Sequence, residues 1–425
     1  MTLFLLGFFI LLILGMPIVF ALAVPVMLYL LFTGHPPLTA LAQQMYTAAD
    51  SFPLLAIPFF LLAGELMTRA NLTNAIVNFS QASIGWIRGG LAHANVLASM
   101  LFAGISGSAI ADSVAIGKVM IPAMEKAGFD RRDAAAITAA SSVIGPIIPP
   151  SIPMIVLGST VGISISGLFA GGLVPGVMIG AGLMLASFWA NRNNSAVAST
   201  RFSIRVMIIT FIHAIIPLTL PVILIGGILG GVFTPTEAGA VAVVYALVIG
   251  LFVYRSLSAS QLWEAMLETV KGTCMIMLIV AAANPFSWIL SVNQMPQTVA
   301  AFLVGISDNP IVVLLMINLM LLIAGMFLET TANILILGPI LIPAGAAVGL
   351  DPIQLGVVMV INLVIGLITP PVGLCLFSTA AVAEIHFGQL IRRIWPYLIV
   401  ELVVLILISV FPVFTLLVPS WLGFI

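Results

Sequence analysis

The chain has 425 residues, 62% of them hydrophobic and only 6% charged, with a formal net charge of −1. A soluble domain carries about 25% charged residues, so this composition cannot build a soluble surface, and the near-zero charge offers nothing to nucleic acid. Apolar runs such as Leu3–Phe32 and Ile394–Leu417 exceed the ~20 residues a bilayer helix needs; together they predict an all-α polytopic membrane protein.

In chain order, Leu3–Phe32 lacks a basic start and is far longer than the ~7–15-residue core of a cleavable leader. It is expected to stay as a span, with no soluble domain appended anywhere. Asn71–Ile87 is weakly amphipathic and is expected along the interface. Between Arg88 and Lys126 lie 37 mostly apolar residues, whereas two crossings need about 40 plus a turn. The middle, Phe102–Ser113 ("FAGISGSAIADS"), is rich in small and polar residues, which predicts a re-entrant hairpin with its tip at Gly104–Ser108.

After the cationic loop Lys126–Asp133, five crossings are expected at Ala134–Ile165, Leu168–Ala190, Val206–Gly231, Ala238–Tyr254 and Gly272–Leu290. The first contains "VIGPIIPP", Val143–Pro150. Each interior proline removes a helix hydrogen bond and clashes one turn back, so the helix must break there. In "FTPTEAGA", Phe233–Ala240, Thr234 as N-cap, Pro235 at the first position and Glu237 three residues after the cap predict a capping box that starts a helix. Asn293–Gly305 is a second interfacial stretch. Pro310–Val348 predicts a second hairpin with its tip at Gly325–Thr331 ("GMFLETT"), and Asn362–Thr379 ("NLVIGLITPPVGLCLFST") a second broken helix.

These elements come twice because the chain repeats itself. Shifted by 221 residues, Leu101–Pro150 lies over Leu322–Pro371 without a gap and with sixteen of fifty positions identical. The matches include Gly104, Gly117, Pro122, Gly128, Asp130, Gly145, Pro149 and Pro150, which apolar composition alone does not produce. The first copy's loop (126–133) holds three cations and its counterpart (347–354) none. Cations in short loops mark the cytoplasmic side, and five intervening crossings invert the second copy. Arg192, Arg201, Arg205, Arg255, Arg392 and Arg393 then all fall inside. Inverted repeats with broken helices are built for secondary transport.

A broken helix frees carbonyls and offers unpaired N–H groups at the start of its second half. Such irregular backbone survives at membrane depth only when buried or lining a wet cavity, and broken-helix carbonyls are used to hold Na⁺. The first expected ion site joins the hydroxyls of Ser106 and Ser108 to the carbonyls of Gly145, Ile148 and Pro150. The second takes Gly325, Thr330 and Thr331 from the tip and Gly366, Thr369 and Pro371 from the break. Asp112 and Glu329 are intramembrane acids and thus candidates to orient the ion site, carry a proton or contact substrate. Either can also cap the hairpin's second limb. Glu65 is expected at a membrane end or subunit contact, Lys118 too far from the tip to bind substrate, His93 and His213 without metal, and Cys274 and Cys375 as packing residues. No catalytic residue is expected: Asp112 has only Asn333 as its repeat partner, and no HExxH is present. A channel fits an inverted repeat less well than alternating access does.

The segments "GISGSAIADSVAIG", "SSVIGPIIPPSIPMI", "GGVFTPTEAGAVAVVYAL" and "GLITPPVGLCLF", in this order, resemble the large membrane subunit of tripartite ATP-independent periplasmic (TRAP) transporters, and the resemblance runs over essentially the whole chain. It implies a Na⁺-coupled secondary transporter of the bacterial inner membrane working as an elevator, with two Na⁺ sites. The expected partners are a separate small four-helix membrane subunit (the first span here starts at residue 3), a periplasmic substrate-binding protein and the lipid bilayer. The expected substrate is an organic acid such as sialic acid, a C4-dicarboxylate, or a keto or sugar acid. With no arginine near either tip, the expected grips are Ser108, Asp112, Ser151, Asn333 and Ser378. The expected division is scaffold and interfacial arm at 1–90, transport halves at 91–165 and 310–383, linking scaffold and second arm at 166–309, and a C-terminal scaffold helix at 384–425. The alternative is a proton-coupled inverted-repeat anion carrier using Asp112 or Glu329.

Overall fold

The computed structural model describes all residues except 35, 71, 192–201 and 308. Arg192, Arg201 and the first residue of the expected interfacial stretch, Asn71, lie outside the described residues. The described residues are helical throughout, without strands, and eight segments among them are long and apolar enough to cross a membrane.

The opening run is not one span. Gly15 in a left-handed turn (φ 77°) and Pro17, which has no N–H to continue a helix, split it into α1 (Thr2–Ile13) and α2 (Ile18–Thr33). The two fold back on each other, with the Phe4 ring 5.6 Å from Tyr29. Next come α3 (Thr39–Ala49), a 3₁₀ turn at Phe52–Leu55, α4 (Ala56–Arg69) and α5 (Leu72–Ile84). The first hairpin is α6 (Gly90–Ser106) and α7 (Ala109–Lys126). Its turn holds Gly107 at φ 61°, a conformation that favours glycine.

The first broken helix is α8 (Arg131–Ser142) and α9 (Ile152–Val161), followed by α10 (Ile165–Asn191), α11 (Ile204–Leu229), α12 (Pro235–Val248), which runs on as a π turn at Ile249–Val253, and α13 (Ala259–Val292). The expected capping box at Thr234 and Glu237 is present and starts α12. The second set is α14 (Met295–Ile306), α15 (Pro310–Phe327), α16 (Thr330–Ala347), α17 (Pro352–Gly366), α18 (Leu374–Val382), α19 (Phe387–Val410) and α20 (Val413–Trp421). Pro412 splits the expected run Ile394–Leu417 between α19 and α20. The 221-residue offset carries into the helix starts within the matched stretch, α7 and α16 at Ala109 and Thr330 and α8 and α17 at Arg131 and Pro352; beyond it α10 and α19 start 222 residues apart, at Ile165 and Phe387.

The helices pack as two groups. In one, α6 and α7 lie on α8 while α15 and α16 lie on α17. The halves are then cross-tied, α9 against α16 and α18 against α7. The two pre-break helices form the centre: every residue from Ala134 to Ser142 and from Ile353 to Gly366 is buried. In the other group α4 packs on α12 and α13, and α2 and α3 on α13. By contact α10 and α19 belong with the broken helices, α10 against α6, α9 and α17, α19 against α8 and α17. The expected scaffold segments 166–309 and 384–425 therefore each begin with a helix that packs on the other group. The reason is physical: the apolar faces of α8 and α17 are covered on the outside, and α10 and α19 are the helices that cover them.

Candidate functional site: two hairpin tips seated on two broken helices

Both tips rest on the breaks. A β-carbon at Gly107 would lie 2.7 Å from the Pro150 carbonyl oxygen, and one at Gly366 would lie 2.6 Å from the Gly325 carbonyl carbon. Glycine is required at both, because backbone meets backbone there. A cavity of about 110 Å³ opens between the tips, lined by Ser108 of one and Glu329, Thr330 and Thr331 of the other, with Pro146 and Leu367 from the breaks. Leu61 of α4 and Ile276 of α13 also line it.

At the first tip, Ser106 Oγ donates to Asp112 Oδ1, and the Ser108 N–H donates to Ser106 Oγ at 3.3 Å. Ser108 is the N-cap of α7, its Oγ accepting from the Ala111 N–H at 3.5 Å. Asp112 is 0% exposed. Its Oδ2 meets no hydrogen-bond partner among the described residues and lies against Gly145. The carbonyls of Gly145, Ile148 and Pro150 accept no hydrogen bond among the described residues. Hydroxyl, carboxylate and unspent carbonyl oxygens are thus gathered where the tip meets the break. That donor set fits a small hard cation.

The second tip is built differently. Glu329 stands 221 positions after Ser108 and is the N-cap of α16, accepting the N–H of Thr331 at 2.8 Å and of Ala332 at 3.2 Å, with the Thr331 hydroxyl at 3.0 Å. Thr330 Oγ1 points to the Leu363 carbonyl at 3.5 Å. The Gly366 carbonyl accepts the Thr369 N–H at 3.0 Å, and Thr369 Oγ1 donates to the Ile365 carbonyl at 2.8 Å. Two expected donors of the second site are thus engaged in their own turn, while Pro371 is exposed.

Three expected substrate grips sit away from the cavity between the tips. Ser151 is buried and caps α9, donating to the Pro146 carbonyl and accepting the Met154 N–H at 3.3 Å. Asn333 ties the limbs of the second hairpin by donating to the carbonyls of Leu328 and Ala324 at 3.1 and 3.3 Å. It lines a different, apolar cavity beside the α1–α2 turn. Ser378 pairs with Ser113 at 2.7 Å and so joins α18 to α7.

Other buried polar groups form ties that the sequence analysis does not single out. Asn95 donates to Thr138 at 2.6 Å and Ser99 to Ser141 at 2.8 Å between α6 and α8. Asn362 donates to Asn318 Oδ1 at 2.7 Å and Asn318 to Ser409 at 2.8 Å, linking α17, α15 and α19. Glu401 on α19 is 0% exposed, and neither carboxyl oxygen has a hydrogen-bond partner among the described residues. Isolated Asn and Glu in apolar helices are the signal that picks these out. Outside the membrane, Asp130 caps α8, and hydrogen bonds from Arg132 hold its carboxyl below the usual carboxylate range. Arg131 donates from Nε to the Ala383 carbonyl at 2.6 Å and tethers this loop to the end of α18.

Residues 5–414 match the family model of the tripartite ATP-independent periplasmic transporter, DctM component. The chain is 42% identical to the sialic acid TRAP transporter large permease protein SiaM of Vibrio cholerae over 96% of this chain and 95% of that one. It is 43% identical to the C4-dicarboxylate TRAP transporter large permease protein DctM of Pseudomonas aeruginosa over 90% of each. The isethionate TRAP transporter permease protein DctMQ of Oleidesulfovibrio alaskensis is 39% identical over 96% of this chain and 64% of its own length. In fold the chain is similar to the crystal structure of the Alcanivorax borkumensis YdaH transporter, with a TM-score of 0.63 and 18% identity over 91% of this chain and 88% of that one. A chain with two tips closed on two broken helices, matched almost end to end by these relatives, belongs to the DctM family, the large permease component of TRAP transporters.

Proposed function

We propose that this TRAP permease, a multi-pass protein of the bacterial inner membrane and not an enzyme, drives organic-acid uptake by Na⁺ symport. The observation that carries the reading is the first tip: Gly107 seats on the Pro150 carbonyl and the buried Asp112, bonded by Ser106, lies against Gly145, at a break whose Gly145, Ile148 and Pro150 carbonyls accept no hydrogen bond among the described residues. Ser106, Ser108, Gly145, Ile148 and Pro150 hold one Na⁺. The second ion takes Thr330, Thr331 and the unspent carbonyls of Gly325, Thr369 and Pro371. Asp112 orients the first site through Ser106 and brings the negative charge. Glu329, as a cap, sets the direction of the Thr331 hydroxyl. The relatives carry sialic acid, C4-dicarboxylate or isethionate in their names, and the cavity between the tips suits the carboxylate end of such an anion, held by Ser108, Thr331 and the ions themselves.

The two copies face opposite ways, and transport proceeds as an elevator. The moving body comprises α6–α10 and α15–α19, because α10 and α19 pack on the broken helices. The fixed body comprises α2–α5 and α11–α14. A TRAP large permease works with a small membrane subunit and a periplasmic binding protein, and both are partners of this chain in the proposed reading. The test is uptake of sialic acid and of succinate into proteoliposomes holding the assembled permease, under Na⁺ or K⁺ gradients. The reading expects accumulation of an organic acid under a Na⁺ gradient only. Accumulation driven by a pH gradient without Na⁺ would contradict it.

A further inference from the structure

Two polar cavities lie at the end of the fold opposite the cationic loops. The outer one, about 450 Å³, is lined by Ser51, Ser159, Ser164, Ser166, Thr234 and Thr236 together with small and apolar residues. The inner one, about 160 Å³, is lined by Thr47, Ser51, Ser159, Thr160, Asn284 and Leu335 among others. Ser51 and Ser159 belong to both, and their hydroxyls are hydrogen-bonded to each other at 2.8 Å. That bond lies where the two linings meet. It also joins the two packing groups, since Ser51 leads into α4 and Ser159 sits on α9. Of the helices that begin beside the cavities, α4 ends at Arg69 and α12 runs toward Arg255. Cations on that far side mark the cytoplasm, so the cavities face outward.

A chain with 6% charged residues does not gather hydroxyls in one place without cost, because each buried polar group must be bonded or wetted. The lining is chemically one-sided. Among the described residues, no lysine, arginine or histidine lines either cavity. The exposed acids Asp50 and Glu237 adjoin Ser51 and Thr236 in sequence. Asn284 spends its amide hydrogens on Gln44, at 2.9 and 3.0 Å, which leaves its oxygen available. Hydroxyl and amide oxygens without a cationic side chain among the described lining residues favour a small hard cation over an anion. The inner wall at Leu335 is on α16, five residues past Thr330, about 7.5 Å along the helix from the second tip.

We propose that the two cavities are the outer and inner chambers of the path by which the coupling Na⁺ reaches the second hairpin tip, with the Ser51–Ser159 hydrogen bond as the gate between them. This rests on the Na⁺-coupled reading above and adds the route. The test is thiol labelling of the assembled permease in right-side-out membrane vesicles. Cys274, which is exposed, is replaced by Ser; Cys375 is buried and stays. Thr160→Cys reports the inner chamber, and Val232→Cys, 70% exposed in the outer loop, serves as the benchmark. Membrane-impermeant methanethiosulfonates carrying either an ammonium or a sulfonate are added outside.

Relative to the benchmark, the ammonium reagent modifies Thr160→Cys faster than the sulfonate reagent does. Adding Ser51→Ala speeds the reaction by about two- to tenfold, the equivalent of one neutral hydrogen bond. Should Thr160→Cys not reach the membrane, Asn284→Cys reads the same chamber. A normalised rate favouring the sulfonate, or one indifferent to Ser51→Ala, overturns the proposal. Labelling needs no turnover, so its outcome is separate from the ion dependence of uptake.

Discussion

The carboxylate of Asp112 occupies the space that a side chain at position 145 would need: a β-carbon on Gly145 would overlap Oδ2, while Oδ1 accepts from Ser106. The acid of the hairpin is thereby held against the backbone of the break at Gly145. Replacing Asp112 by Asn keeps the shape but removes the charge. A hydrogen bond to a charged group is worth about 2 kcal/mol, so Asp112→Asn is expected to raise the Na⁺ concentration for half-maximal uptake roughly thirtyfold. Ser106→Ala acts on the same pair, and the double variant should lose less than the sum of the singles. Additive losses in the uptake assay would mean that the two residues work independently.

The second tip depends on backbone contact. At Gly366 any β-carbon collides with the Gly325 backbone, whereas Gly226 on α11 has nothing within 4 Å. Gly366→Ala is expected to cost about 1–3 kcal/mol as an overpacked site and to lower the melting temperature in detergent. Gly226→Ala should leave it unchanged. Equal melting of both variants would show that the tip does not close on the break.

For Glu329 the capping and ion-site roles separate by variant. Glu329→Ala removes the cap of α16 and should cost about 0.5–2 kcal/mol. Glu329→Gln keeps an acceptor for the Thr331 N–H and should hold most of that stability. If uptake by Glu329→Gln matches the wild type while Glu329→Ala is merely less stable, the residue is a cap and nothing more. A stable Glu329→Gln permease with impaired uptake assigns it a part in transport through its charge.

Asp130 supplies the pH dependence. Its carboxyl is held low in the folded protein by hydrogen bonds from Arg132, so its contribution is present at neutral pH and fades as the pH falls through the carboxylate range. The pair is partly exposed to solvent, which limits it to under about 1 kcal/mol. Asp130→Asn should therefore melt slightly below the wild type at pH 7, and the gap should close in acid. A gap that widens in acid would reverse the sign of this argument.

What the sequence made legible is local or repeated chemistry. Gly-x-x-x-Pro-Pro states its own helix break, Thr234 with Glu237 states a capping box, and a second copy 221 residues on ties each break to its tip. The α1–α2 hairpin was not legible, because the apolar content of Leu3–Phe32 outweighed the two breakers Gly15 and Pro17. Nor was the placement of Ser151, Asn333 and Ser378. Each looked available in sequence, yet the fold uses Ser151 as a cap, Asn333 as a tie within its hairpin and Ser378 as a partner for Ser113. The Asn362–Asn318–Ser409 chain spans three helices far apart in sequence, so only the packed structure could assemble it. The membership of α10 and α19 in the broken-helix group is likewise a matter of contacts that no local pattern announces.

The central claim is that a tip and a break together hold sodium, and equilibrium binding of radioactive Na⁺ to the purified permease tests it most directly. The account predicts saturable binding that unlabelled Na⁺ displaces and K⁺ does not, weakened by Ser106→Ala and by Asp112→Asn but not by Gly226→Ala. Binding that K⁺ displaces equally well, or that survives both tip substitutions unchanged, would contradict it.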